Sequence, residues 1–307
     1  MVLFVSGRSD ILTYYPKWFI NRVKEGYVDT RNPYNPKLVS RIYFDLVDII
    51  MFCTKNPIPF LPYLDELDSL LKNVPLIFHI TITPYKEDIE PQIAKDKKTI
   101  IKAVRYLGKR YGKERIFIRF DPILKSKEYT ISYHIKAFKK LASEISGSAD
   151  NVVISFIDLY KNVLNNNDKY LHLEKFKEED YKLIGEEFFK IASENNLKIF
   201  TCGEKEDLTE YGFIKGSCLT KEFASSLMSE LNKTVKFKRR THRDNENCNC
   251  VQTVDIGAYN SCKSLCRYCY ANFNEEEVKT NYLKHSDDSS LLIGRLMRDD
   301  VIKERID

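Results

Sequence analysis

The sequence has no apolar run of about 18 residues, the length that marks a membrane-spanning helix. Its first residues, Met1 to Arg8, lack both a basic leader and a long apolar stretch, which argues against a secretory signal. We therefore expect a cytoplasmic protein without a membrane partner. In a reducing compartment, its eight cysteines are expected to be metal ligands or free thiols rather than disulfides.

The sequence also lacks a large excess of charge of one sign. It has 49 Lys and Arg against 44 Asp and Glu, a net charge of +5. This balance does not by itself indicate a nucleic-acid partner. With 43% hydrophobic and 30% charged residues among 307, the composition is typical of one large α/β domain, or of a main domain with a small appendage.

Apolar strand-like runs alternate with amphipathic helix-like runs. Strands are predicted at Val2–Val5, Asp48–Cys53, Leu76–Thr83, Arg115–Phe120, Val152–Ile157, Leu197–Thr201 and Val251–Gly257. Helices are predicted at Trp18–Glu25, Leu61–Asn73, Pro91–Tyr111, Ile131–Ile145 and Glu178–Glu194. Residues 26–47 are predicted to be a long connection, and the tail from 289 to 305 has a helical pattern.

Strand–helix units in series imply a mostly parallel sheet with right-handed crossovers. The number of strands favours an α/β fold built as a partial or complete TIM-like barrel over a doubly wound sheet. Residues 1–232 would form the barrel core. Residues 233–307 would add a basic connector, the last strand, a cysteine-rich loop and the tail to the same structural domain.

Polar side chains gather at the ends of the predicted strands. They are Arg8, Asp10, Lys55, Asn56, Thr81, Thr83, Arg119, Asp121, Asp158, Tyr160, Cys202 and Glu204. In a β/α barrel this face carries the active site, although Asp121-Pro122 and Asn56-Pro57 are also ordinary turn chemistry. His79 lies inside a strand, where a lone histidine is more typical of a hydrogen-bonded core residue than of a ligand.

Three cysteines, Cys262, Cys266 and Cys269, follow the last predicted strand with three and then two residues between them, and Tyr268 precedes the third. Three thiolates can each bind one iron of a cubane and leave the fourth iron without a protein ligand. The same spacing also occurs in zinc sites. Its position directly after a strand of a β/α chain favours a [4Fe-4S] cluster.

Four other cysteines, Cys202, Cys218, Cys248 and Cys250, lie at or between the last two predicted strands. If those strands are neighbours, the four thiols converge on a fully ligated site. Such a site would hold a second [4Fe-4S] cluster or a structural zinc ion. The tight Cys-x-Cys spacing favours the cluster, and four unrelated thiols are the alternative. Cys53 lies in an apolar strand and needs no such role.

The three-cysteine loop with its aromatic resembles the cluster loop of radical S-adenosylmethionine (radical-SAM) enzymes. This resemblance implies that the open iron binds S-adenosylmethionine, which one electron cleaves reductively. It also implies an electron donor such as a flavodoxin or a ferredoxin. It does not name a substrate.

Two features depart from this resemblance. The cluster loop follows the last strand rather than the first, which a circular permutation reconciles by placing Val251–Gly257 first and Val2–Val5 second. The Gly-Gly-Glu that receives the methionine amino group is absent, because no Gly-Gly pair occurs. On the permuted map the segment Ser6–Asp10 takes its place, with Asp10 or Ser6 as the acceptor.

The permuted map assigns roles to other strand-end residues. The candidates for binding the ribose and carboxylate of the cofactor are Thr81, Thr83, Arg119 and Asp158. The candidates for catalysis are Arg8, Asp10, Lys55, Arg119 and Asp121. Three of these are cations, which favours an anionic substrate.

Stretches along almost the whole chain resemble the domain-of-unknown-function 1848 family. They are Ser6–Ile11, Arg31–Pro36, Thr54–Pro57, Phe60–Leu64, Arg119–Pro122, Tyr129–His134, Ile154–Tyr160, Asp255–Asn260 and Cys266–Asn272. That family is known mainly for a C-terminal cysteine group similar to the radical-SAM one, so the resemblance implies no reaction or substrate. Cys53 stands where relatives are expected to carry a larger aromatic residue.

A basic segment precedes the last strand. Its cations are Lys233, Lys236, Lys238, Arg239, Arg240 and Arg243. A solvated connector is the favoured interpretation, and a phosphate-contacting surface is the alternative. Two non-enzymatic functions therefore stay open: a nucleic-acid-binding protein stabilised by zinc or iron–sulfur, and a redox sensor.

Overall fold

A computed structural model describes residues 1–93, 97–216, 218–240 and 248–306. The strands of this part are β1 (Val2–Val5), β2 (Tyr27–Arg31), β3 (Leu38–Tyr43), β4 (Ile49–Thr54), β5 (Leu76–Thr81), β6 (Ile116–Ile123), β7 (Asn151–Phe156), β8 (Lys198–Thr201), β9 (Thr253–Asp255) and β10 (Val301–Arg305). The helices are α1 (Ile11–Tyr14), α2 (Pro16–Glu25), α3 (Leu64–Leu70), α4 (Lys97–Tyr111), α5 (Ile131–Ile145), α6 (Lys161–Asn166), α7 (Glu178–Glu194), α8 (Lys221–Glu230) and α9 (Glu275–Leu283).

Seven strands form one sheet in the order β8-β7-β6-β5-β4-β1-β9. Every neighbouring pair is parallel, which confirms the predicted α/β fold with a mostly parallel sheet. In the described residues this sheet does not close, because β8 and β9 are its two edges. The prediction that the last two main-sheet strands along the chain, β8 and β9, are neighbours is therefore wrong. Strand β1 lies between β9 and β4, and this order agrees with the permuted map, which places the strand before the cysteine loop first and Val2–Val5 second.

The sheet is covered on both faces, as expected for strands that read as continuous apolar runs. Leu3 and Phe52 belong to one buried core, together with Trp18 of α2. Met51 belongs to a second core on the other face, together with Leu227 of α8. Helix α8 and its flanking segments therefore fill the face of the sheet that would be the inside of a barrel.

A second sheet has the order β10-β3-β2. The predictions of a connection over residues 26–47 and of a helical tail are wrong here, because β2 and β3 are an antiparallel pair and β10 joins β3 in parallel. The dipeptides Asn32-Pro33 and Asn35-Pro36 lie between β2 and β3, so they mark a turn between two strands. Strand β10 is mostly exposed and has no apolar alternation. An ion pair of 2.5 Å between Arg31 and Asp300 holds it in place.

The helices agree with the sequence pattern where capping signals are clear. Helices α5 and α7 have the predicted bounds, and Thr130 caps α5 by accepting a hydrogen bond from the Tyr133 amide over 3.2 Å. Helix α4 begins at Lys97, later than the predicted Pro91, and residues 94–96 lie outside the described part. Among the described helices, none is long and apolar enough to cross a membrane.

Asp255 at the end of β9 joins the loops that follow β1 and β9. Its carboxylate accepts hydrogen bonds from the Gly7 amide and the Gly257 amide, each over 3.0 Å, and from Arg8 Nε over 2.6 Å. The two glycines allow this close approach. A Cβ at Gly7 would lie 2.7 Å from Asp255 Cγ, and one at Gly257 would lie 3.0 Å from the Arg8 amide nitrogen. Strands β1 and β9 are therefore joined directly at their C-terminal ends.

We expect Gly7→Ala to lower the free energy of unfolding by about 1–3 kcal/mol, because the new methyl group would overlap the Asp255 carboxylate. Denaturant unfolding measures this loss. The same substitution should cost less in a chain that already carries Asp255→Ala, because the group that it meets is gone. An equal cost in both backgrounds would contradict the steric origin.

Candidate active site

A cavity of about 300 Å³ lies at the C-terminal ends of the parallel strands. The sequence-predicted residues on its wall are Ser6, Arg8, Asp10, Lys55, Thr81, Arg119, Asp121, Asp158, Tyr160, Cys202, Cys218, Cys262, Cys266, Tyr268 and Cys269. Thr83, Cys248 and Cys250 are outside this lining. Both cysteine groups therefore contribute side chains to one cavity, whose volume is in the range of small-molecule sites.

The three-cysteine loop is held by side-chain amides that bind its backbone. Asn272 donates to the Cys262 carbonyl over 2.7 Å. Asn162 of α6 donates to the Asn272 carbonyl over 3.0 Å and also to that of Cys269. Leu265 has a left-handed backbone with φ of 51°, which a non-glycine residue rarely adopts. The loop is therefore shaped by specific contacts and not only by its cysteines.

Donors are also aimed at the sulfurs of this loop. The Ala271 amide lies 3.3 Å from Cys269 Sγ, and Ser264 hydrogen-bonds the Cys262 thiol. Burial raises the pKa of Cys262 to about 12 and raises the pKa values of Cys266 and Cys269. All three are thus neutral thiols unless a cation is bound. In the described chain, none of the three donates to another. Two of the three sulfurs, those of Cys262 and Cys269, therefore have hydrogen-bond donors beside them.

Lys55 and Tyr268 meet at a buried carboxylate, Glu90. Its Oε1 accepts hydrogen bonds from Lys55 Nζ over 2.9 Å, from Thr83 Oγ1 over 2.6 Å and from the Tyr268 hydroxyl. Burial opposes the charge of Glu90, but Lys55 and Lys97, with the hydrogen bonds from Thr83 and Tyr268, together hold the pKa of Glu90 below its ordinary value. No spacing pattern in the sequence indicated Glu90, because it lies in an irregular segment after β5.

The two predicted acceptors in the segment Ser6–Asp10 are already used by the fold. Asp10 accepts hydrogen bonds from Thr54 Oγ1 over 2.7 Å and from the Lys55 amide over 2.9 Å. Ser6 Oγ accepts from the Ile11 amide over 3.0 Å. Ser6 also has a φ of 96°, a strained conformation for a residue with a side chain. These residues shape the loop after β1.

Ser9 and His79 are buried polar residues of the cavity lining. Ser9 is 5% exposed and His79 is 1% exposed. Ser9 Oγ has no hydrogen-bond partner among the described residues. His79 stacks on Phe117 with ring centroids 4.6 Å apart. It is buried, as the sequence predicted, and the Cys218 backbone lies within hydrogen-bonding reach of its ring. The Ser9 hydroxyl is therefore a buried polar group that a ligand or a water molecule could satisfy.

Arg119 is engaged by two neighbours. Its Nε donates to Asp121 Oδ1 over 3.2 Å, and its Nη2 donates to the other carboxylate oxygen. Its Nη1 lies 3.1 Å from Cys218 Sγ. Arg119 therefore links a strand-end carboxylate to the four-cysteine group, a role that strand order alone does not reveal.

The four-cysteine group is compact. Cys202 Sγ and Cys218 Sγ are 3.2 Å apart, and the Cys218 amide donates to Cys250 Sγ over 3.1 Å. The Cys250 thiol also hydrogen-bonds the thiols of Cys218 and Cys248. No three His, Cys, Asp or Glu side chains of the described residues have the arrangement of a completed metal site. The sulfurs form a series of pairwise contacts, from Cys202 to Cys218, from Cys218 to Cys250 and from Cys250 to Cys248. They do not surround a common point.

These four cysteines meet although β8 and β9 are not paired. Single β-bridges cross between the two edges: Phe200 with Ile214, Thr220 with Cys250, and Arg239 with Val251. Residues of the basic segment take part in this crossing, since Arg239 also donates to the Cys248 carbonyl over 3.0 Å. Arg240 lines the cavity, and Arg243 lies outside the described residues.

The remaining predicted residues lie at the rim or join loops. Asp158 is exposed at the cavity mouth and accepts a hydrogen bond from the Tyr160 hydroxyl over 3.0 Å. Arg8 is paired with Asp255, as described above, and donates to the Asp255 carbonyl over 3.2 Å. Thr81 pairs with Arg119 in the register of β5 and β6. The cations predicted to attract an anionic substrate therefore have carboxylate partners.

The comparisons with known proteins concern the family more than the activity. No curated protein matches the chain. A crystal structure of the Clostridial cellulose synthase subunit Z (CcsZ) from Clostridioides difficile is similar over 65% of this chain and 78% of that chain, at 13% identity and a TM-score of 0.29. A likeness this weak carries no argument about either fold or function.

The family model described as Domain of unknown function (DUF1848) matches residues 2–271. Since this match covers far more than half of the chain, the protein belongs to the DUF1848 family.

Proposed function

We propose that this protein is an iron–sulfur enzyme of the radical-SAM type, with a [4Fe-4S] cluster on Cys262, Cys266 and Cys269. The observation that carries this proposal is that all three cysteines line one cavity at the strand ends, with donors directed at two of their sulfurs. When bound, such a cluster supplies an electron for reductive cleavage of S-adenosylmethionine at its open iron. An electron donor such as a flavodoxin or a ferredoxin belongs to this proposal.

The strand order supports the permuted arrangement. The cysteine loop follows β9, the segment Ser6–Asp10 follows β1, and these two strands are parallel neighbours. The Asp255 contacts with Gly7 and Arg8 bring both loops to the same end of the sheet. A cofactor held by the cysteine loop would thus lie beside the segment assigned to its methionine moiety.

Ser9 is the residue of that segment best placed to bind the methionine moiety. Ser9 belongs to the cavity lining, and its buried hydroxyl has no partner among the described residues, whereas the side chains of Ser6 and Asp10 bind the protein itself. The hydroxyl can accept a hydrogen bond from an ammonium group or donate one to a carboxylate. Ser9 therefore takes the role that Asp10 and Ser6 have in the sequence-based map.

Lys55 orients the site and stabilises the cysteine loop. Its ammonium group contributes a positive charge that favours the thiolate form of Cys266. It is fixed by Glu90 and lies 5.4 Å from the Tyr268 ring centroid. Because Lys55, Arg8 and Arg119 are all paired with carboxylates, the proposal does not require an anionic substrate.

We expect Cys266→Ser to lose the iron of this site and the EPR signal of the reduced cluster, because serine is a poor ligand for iron in such clusters. Iron content and low-temperature EPR of anaerobically purified protein, with and without S-adenosylmethionine, measure both effects. Cys53→Ser is the matched control, since Cys53 is another cysteine of the same cavity wall and should keep the signal. A signal in the native protein that ignores S-adenosylmethionine would contradict the proposal.

We expect Ser9→Ala to weaken S-adenosylmethionine binding roughly tenfold, as for the loss of one hydrogen bond to a charged group, while the iron content stays unchanged. Equilibrium binding to the anaerobic, iron-loaded protein provides the measurement. Ser229→Ala is the control, because this hydroxyl bonds its own helix at the Ser225 carbonyl. Unaltered affinity in Ser9→Ala would remove Ser9 from the cofactor site.

A further inference from the structure

The four-cysteine group lies where the main sheet is incomplete. Cys202 directly follows the edge strand β8, and Cys250 lies just before the opposite edge strand β9. In the described residues, single β-bridges rather than a continuous ladder join the segments between these edges. A ligand shared by these cysteines would tie one edge of the sheet to the segment that leads into the other.

The spacing of the sulfurs distinguishes the kinds of metal site. A tetrahedral zinc ion with Zn–S bonds of about 2.3 Å places its sulfurs about 3.8 Å apart. Each thiolate of a cubane binds a different iron. The cysteine sulfurs around a cubane are therefore farther apart than those around one zinc ion, by the distance between two irons. Cys202 Sγ and Cys218 Sγ are 3.2 Å apart, and Cys250 contacts both Cys218 and Cys248. These contacts are nearer to the sulfur spacing around a single zinc ion than to that around a cubane.

The surroundings of these sulfurs also suit bound thiolates. Arg119 Nη1 lies 3.1 Å from Cys218 Sγ, and the Cys218 amide lies 3.1 Å from Cys250 Sγ. Donors of this kind orient metal ligands and offset the negative charge that four thiolates place on one ion. Cys248 and Cys250 are buried, so water has little access to an open coordination position.

We propose that Cys202, Cys218, Cys248 and Cys250 bind one zinc ion in a closed tetrahedral site that fastens the two edges of the main sheet. Four protein ligands leave no position for substrate, so the ion is structural. Its binding free energy adds to the stability of the folded chain. This site stands independently of the proposed enzyme, because it shares none of the cysteines of the first group.

The test is metal analysis of the full-length Cys266→Ser chain, purified without oxygen, in which the first group cannot complete its cluster. We expect about one zinc per chain and no acid-labile sulfide. Adding Cys218→Ser should bring zinc close to zero, whereas adding Cys53→Ser should leave it unchanged. If the native chain holds zinc but no iron, the enzyme proposal fails and the zinc site stands.

Three results would overturn the zinc site. Iron and sulfide that persist in Cys266→Ser and vanish on adding Cys218→Ser would identify a second cluster. Zinc that is indifferent to Cys218→Ser would lie elsewhere in the chain. A metal-free chain with a bond between Cys202 and Cys218 would identify a disulfide pair.

A measurement on the native chain avoids dependence on variants that fail to fold. Protein produced with Co²⁺ in place of zinc should show the thiolate-to-cobalt charge-transfer bands and the intense visible bands of a tetrahedral four-sulfur site. Octahedral cobalt bands without thiolate charge transfer would contradict four cysteine ligands. Removing the metal with a chelator should also lower the melting temperature of the native chain, and an unchanged melting temperature would contradict the structural role.

Discussion

The hydrogen bonds of the Asp255 carboxylate are the contact on which the candidate site depends. One side chain at the end of β9 binds the Gly7 amide, the Gly257 amide and Arg8 Nε. These partners come from opposite ends of the chain, and only the missing side chains of the two glycines make room for the contact. This junction adds to the pairing of β1 with β9 and to the hydrogen bond from the Tyr270 hydroxyl to the Gly7 carbonyl, which also join the two loops. With these contacts, both loops border one cavity.

The strands of the main sheet could be predicted from the sequence. Each strand of the main sheet is a short apolar run, and the polar residues that follow these runs do meet at one end of the sheet. Strand β10 could not be predicted, because Val301–Arg305 is largely exposed and is stabilised by distant partners such as Arg31. An amphipathic pattern appears only where one face of an element meets a core.

The same distinction applies to the site. Cysteine spacing indicated the three-cysteine loop, because ligands close in sequence must be close in space. Glu90 and Ser9 had no such signal, since their importance comes from burial and from what neighbours leave unpaired. Asp10 had the right location but is occupied by Thr54 and the Lys55 amide. Strand order thus predicts which residues approach the cavity, and only the hydrogen bonds decide which of them remain available to a ligand.

The pairing of β1 with β9 also bears on how the chain folds during synthesis. Arg8 and Asp255 are 247 positions apart, so β1 has only β4 as a partner in the main sheet until the segment that contains β9 has been synthesised. Contacts of such long sequence separation form late. The cysteine loop acquires its supporting wall only after this final step. A ribosome that stops before β9 therefore releases a chain in which one edge of β1 is unpaired and the cysteine loop is missing. These two features distinguish incomplete products from complete ones before any cofactor is inserted.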